Sequence, residues 1–173
     1  VLTAGNHERY VSDHLLRLES VPSGLMGRVH QTSRFAFEQL GDRARSLVGL
    51  PDGVALRAPE LGEARIVHAS MGGDEAGLDP RTPADVARDR VGGPCPLLVV
   101  GHVHRRLDFR VGDTRVVNAG SVGSACDGVR AAGWVELEAR PEGWGVTLRR
   151  VGYDVDHTAR DYAGSGRRHA GPR

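Results

Sequence analysis

The spacing of apolar positions changes several times along this chain, and each change predicts an element. Residues 96–100, Pro-Leu-Leu-Val-Val, form a continuous apolar run with the length and β-branching of a strand buried on both faces. Residues 1–4 read as a strand, with 5–8 as the turn at its end. Val11, His14 or Leu15, and Leu18 then recur at helical spacing until Pro22, Ser23 and Gly24 end the pattern. On that face His14 reads as a packed core histidine. Thr32 or Ser33 caps a second helix whose apolar stripe is Phe37, Leu40, Ala44, Leu47 and Val48, with His30 in the linker before it. Short strands follow at 54–57 and 65–68. Residues 71–80 lack a period and read as a solvated loop. Residues 82–90 read as a helix with Thr82 as cap and Pro83 at its first position.

Past residue 104 the period is two. Leu107, Phe109 and Val111 alternate with Asp108 and Arg110, Gly112-Asp113 turns, and Val116-Val117 returns. Residues 134–138 and 145–149 form a second hairpin around Pro141-Glu142-Gly143. Tyr153-Asp154 is expected to close the sheet, 155–162 to form a last helix, and 163–173 to be a disordered tail. Helices among the first strands and hairpins afterwards predict an α/β sandwich, two sheets with helices outside.

At 173 residues the chain suits one domain, with 39% apolar and 26% charged residues. No apolar run approaches a membrane span, and no secretory signal opens the sequence. All 23 basic residues are Arg, against 22 acids, so charge does not indicate nucleic acid as a partner. Cys95 and Cys126 lack metal-ligand spacing and are expected as free thiols in a reducing cytoplasm.

Candidate chemistry clusters where apolar runs give way. Ala4-Gly5-Asn6-His7-Glu8, then Val67-His68-Ala69-Ser70, then Gly101-His102-Val103-His104 share one grammar: a short apolar run, then His or Asn-His. Ligands gather at the carboxyl ends of strands in open α/β sheets, and neutral imidazole is the commonest metal-binding side chain. These three motifs, in this order, resemble the calcineurin-like metallophosphoesterase superfamily, and most closely its small bacterial members, over residues 1–162. The resemblance implies a four-layer αββα sandwich for a domain spanning 1–162. It also implies hydrolysis of a phosphomonoester or phosphodiester by a hydroxide activated on two divalent ions, with Mn foremost and Fe, Zn, Ni or Mg as alternatives.

Carried over position by position, the resemblance makes Asn6, His68 and His102 ligands of the second metal and His104 a ligand of the first. His7 becomes the general acid that protonates the leaving oxygen. Two motifs of that family, Gly-Asp-x-His and Gly-Asp-x-x-Asp, do not occur in this sequence. The fold is therefore expected to be N-terminally incomplete, and the chain to have little activity as it stands. Ala69 and Val103 replace the family's usual Gly and Thr without removing a ligand. Glu8 is expected to start the helix, and Asn118-Ala119-Gly120-Ser121 either to shape the site or to form a tight turn. Arg105 and Arg106 could hold an anionic substrate or be solvated. Substrate choice would lie in residues 20–34 and 71–80, and a homo-oligomer stays open. Two rival readings are a non-catalytic scaffold or binding module with a degenerate metal site, and a one-metal hydrolase using Asn6, His68 and His102.

Overall fold

The apolar run becomes β3 (Leu97–Val100), with all four residues buried. A strand hidden on both faces needs a neighbour on each edge, and β3 has two, both parallel. On one edge lies β2 (Gly62–Val67), reached through the crossover helix α3 (Ala84–Val91). On the other lies β5 (Thr114–Ala119). Antiparallel partners complete the five-stranded sheet: β1 (Gly53–Ala58) beside β2 and β4 (Arg106–Val111) beside β5, giving the order β1-β2-β3-β5-β4. A second sheet is the hairpin of β6 (Ala132–Arg140) and β7 (Gly143–Val151). The computed structural model describes residues 1–13 and 24–164.

Strand periodicity divides β3 between two cores. Leu98 and Val100 pack with Val116, Leu78, Cys95 and, from α3, Ala87 and Val91. Leu97 and Val99 face the other way, with Ala64 and Val117, onto Val135, Leu137, Trp144, Val146 and Leu148 of the hairpin. Each fully buried Leu or Val among them contributes about 1.5–3 kcal/mol. The result is a mixed α/β fold with two stacked sheets and helices against them. Helices α1 (Asn6–Asp13) and α2 (Gly24–Leu40) pack on each other and on a 3-10 segment, Gly41–Leu47. The last helix, α4 (Val155–Gly164), buries none of its residues.

Several expectations are corrected. Residues 1–4 are not a strand: Val1 and Leu2 are exposed, and the Ala4 amide donates to the Pro51 carbonyl at 2.8 Å, outside any ladder. The expected turn at 5–8 is instead the start of α1. Thr32 and Ser33 cap nothing, because α2 already begins at Gly24 and includes His30; the Ser33 hydroxyl bonds back to the Val29 carbonyl at 2.8 Å. Thr82 does not cap α3 either. Its hydroxyl accepts from the Asp79 amide at 3.1 Å, and Pro83 stands at the cap position with extended ψ of 142°. Tyr153-Asp154 adds nothing to the sheet, since β6 begins at Ala132 and leaves β7 no partner beyond Val151. Ala163 and Gly164 are helical. His14, Leu15 and Leu18 lie outside the described residues, as does the tail from 165 onward.

Candidate functional site

The first candidate ligand is set by helix initiation. Gly5 precedes α1, and its amide donates to the Glu8 carboxylate at 2.9 Å. This is half of a capping box, the helix-starting role expected of Glu8. Asn6 thereby becomes the first helical residue, and it is buried. The bond from Ala4 to Pro51 holds this end of α1 beside the start of β1, whose Gly53 pairs with Val67 of β2. His68, the next residue, meets Asn6 there.

The parallel strands bring in the other two histidines. Ile66 of β2 is level with Val99 of β3, so the chain leaves both strands at one height. The Gly101 amide donates to the His68 carbonyl at 2.7 Å. A Cβ on Gly101 would stand 3.2 Å from that oxygen, tight enough to favour a glycine. The chain then turns through two residues of positive φ, His102 at 64° and His104 at 54°. Non-glycine residues avoid this region unless their surroundings hold them there. Asn118, fully buried at the end of β5, supplies one restraint. Its Nδ2 donates to the Gly101 carbonyl, and its Oδ1 accepts from the Gly120 amide at 2.9 Å. Asn118-Gly120 thus shapes the site from beneath.

Three of the candidates converge. Nε2 of His68 lies 2.9 Å from Oδ1 of Asn6, and the His68 and His102 rings meet edge-to-face with centroids 5.3 Å apart. An amide oxygen only accepts, so Nε2 of His68 carries the proton. Burial lowers the pKa of His68, and neighbouring His102 lowers it further; burial and His104 lower that of His102. Both shifts favour the neutral form of the rings. His104 stands beside them with Nδ1 donating to the Ser124 carbonyl at 3.1 Å. His7, on the exposed side of the first turn of α1, packs its ring edge-to-face on Tyr10 at 5.6 Å.

Sequence reasoning missed a clamp across this cluster. Arg9 of α1 donates to Asp74 at 2.7 and 3.1 Å and to Glu75 at 2.7 Å, and the Tyr10 hydroxyl also donates to Glu75. Arg9 holds the Asp74 carboxyl below its ordinary range, and Tyr10 and then Arg9 do the same for Glu75. The acids of 71–80 are paired within the chain while staying partly exposed: Asp74 and Glu75 with Arg9, and Asp79 with Arg81. No local pattern could show a pairing across 65 residues. Arg106 is not simply solvated, since it bonds to the Leu148 carbonyl of the second sheet at 2.8 Å. The expected specificity loop at 20–34 is helix α2 from residue 24.

Chemically, the cluster offers neutral donors only. As the structure stands, the His68 Nε2 proton is spent on Asn6 Oδ1, so this ring would ligate through Nε2 only with its proton moved to Nδ1. Two dications side by side also need anionic ligands to offset their repulsion. Asp74 and Glu75 are committed to Arg9, and among the described residues no group of three or more His, Cys, Asp or Glu is placed to hold a metal ion. The residues present do not fit a two-metal centre.

No protein-family model matches the sequence, and no curated protein matches it. Among solved structures, the chain is similar to the hypothetical protein PH1004 from Pyrococcus horikoshii, with a TM-score of 0.67 at 18% identity. That likeness covers 93% of this chain and 66% of the other, and it shows the fold alone. A conserved uncharacterized protein from Streptococcus pneumoniae, described as a predicted phosphoesterase, matches with a TM-score of 0.37 at 13% identity, over 59% of this chain and 64% of that one. A single mutant of Vps29 from Entamoeba histolytica matches at 0.41 and 15%, over 66% of this chain and 77% of that one. The chain thus spans just under two thirds of the length of the first two.

Proposed function

We propose that this chain is a non-catalytic binding module built on a metallophosphoesterase-type fold with a degenerate metal site. The observation that carries this reading is the donor set. Asn6, His68, His102 and His104 gather where, among the described residues, no group of three or more His, Cys, Asp or Glu is placed to hold a metal ion, while Asp74 and Glu75 are tied to Arg9 and Glu8 to the Gly5 amide. Incubation with Mn(II), followed by desalting, metal analysis and a chromogenic phosphodiester assay, tests it. Less than one retained ion per chain and no turnover above the protein-free rate are expected. Turnover that disappears in His102→Ala would overturn the reading.

A second reading is favoured by the 2.9 Å approach of Asn6 to His68 with His102 against it. These residues would be the neutral half of a phosphoesterase centre, with His104 belonging to the other ion and His7 serving as general acid. Its carboxylates would come from sequence other than this. Restored diesterase activity in a protein carrying Gly-Asp-x-His and Gly-Asp-x-x-Asp ahead of this chain would support it. In that protein His102→Ala should lose metal and rate, whereas His7→Ala should lose rate and keep metal.

A further inference from the structure

Beside His68, on the face of β1 and β2 that carries Val67, lies a cavity of about 630 Å³. Its origin is in the sequence. Gly53 and Ala55 are the β1 residues on this face, opposite Val67 and Arg65, and their small side chains leave a hollow where larger ones would fill it. A Cβ on Gly53 would come within 2.7 Å of a Val67 methyl. Val67 and Met71 give the hollow apolar walls, and its volume lies in the range of small-molecule sites, about 300–1,000 Å³.

The charges lining it are mostly spent on one another. Arg9 is held by Asp74 and Glu75. Glu63 receives Arg65 at 3.0 Å and Arg57 at 3.1 Å. Asp52 alone of the lining carboxylates makes no hydrogen bond or ion pair among the described residues. His68, beside it, contributes no charge. The Arg57–Glu63–Arg65 group keeps one net positive charge and the Arg9–Asp74–Glu75 group one net negative charge, so these offset and Asp52 leaves the lining negative by about one charge beside its apolar walls.

We propose that this cavity binds small organic amines, with an apolar body over Ala55, Val67 and Met71 and an ammonium group against Asp52. The inference rests on the binding-module reading and deepens it by naming a ligand class. Its test is run in EDTA, so metal retention or phosphodiester turnover, which decides that reading, cannot mimic it. Saturation-transfer NMR and titration of the full chain with phenethylamine, and with phenylacetate as the anionic control, decide the matter. Phenethylamine should bind and phenylacetate should not. Asp52→Asn should weaken the amine about threefold, the size of one partly exposed ion pair. Ala55→Trp, at an exposed strand position where an aromatic is tolerated, should abolish binding by filling the hollow. Equal binding of the two probes, an unchanged amine affinity in Asp52→Asn, or full binding by Ala55→Trp would each overturn the proposal.

Discussion

At the scale of single residues, the cluster depends on a few contacts too close to admit another atom. A Cβ on Gly5 would lie 2.6 Å from His68 Nδ1, and one on Gly77 would lie 2.7 Å from a Val103 methyl and 3.1 Å from the His102 ring. Gly77→Ala should therefore displace the His102 turn, which His102 ring chemical shifts will report, at a cost of about 1–3 kcal/mol in urea unfolding. Asn118 is a stronger case, since both ends of its amide are used in a fully buried position. Asn118→Ala strands the Gly101 carbonyl and the Gly120 amide and should cost about 2–4 kcal/mol by the same measurement. Arg9 is different. Its ion pairs are substantially exposed, so Arg9→Ala should change stability by less than about 1 kcal/mol. Amide exchange across residues 71–80 should nevertheless accelerate, because the loop loses its tie to α1.

At the scale of elements, what could be read beforehand and what could not separate by the range of the forces involved. The β3 run, the alternation of β4 and the two hairpins were legible, because burial on two faces or one imprints a period on residues 97–151. So was the meeting of Asn6, His68 and His102, through a repeated motif rather than through any local rule. Helix boundaries were not legible where a capping residue found another partner. Ser33 turned to Val29 and Thr82 to Asp79, competitions that composition does not decide. Val1 and Leu2 look like strand residues, but no ladder receives them. The Arg9 clamp and the Asp52 cavity were invisible because they join segments distant in the chain.

At the scale of the whole molecule, pH should act in two steps. His68 and His102 resist protonation when folded, burial holding their pKa below the ordinary histidine value of about 6.5 that the unfolded chain retains. Between the two values the unfolded chain binds more protons, so stability is full above about 6.5 and falls as pH drops toward the folded pKa. Asp74 and Glu75, depressed from 3.8 and 4.5, contribute above those values and lose their contribution only as pH falls below them. Thermal unfolding of the metal-free protein from pH 8 to 3 should show a first decline below about 6.5 and a second below about 4.5. His102→Gln should shrink the first, leaving the part that the buried His68 contributes, and leave the second unchanged.

Three parallel strands side by side have one more consequence. Whatever residue follows β2 or β3, or ends β5, is delivered to one shared edge by pairing that involves no side chain there. Chemistry at that edge can be rewritten letter by letter while the two cores beneath stay as they are. An acid written in at position 6 would arrive already beside an imidazole, so this scaffold is one substitution from a charged donor set.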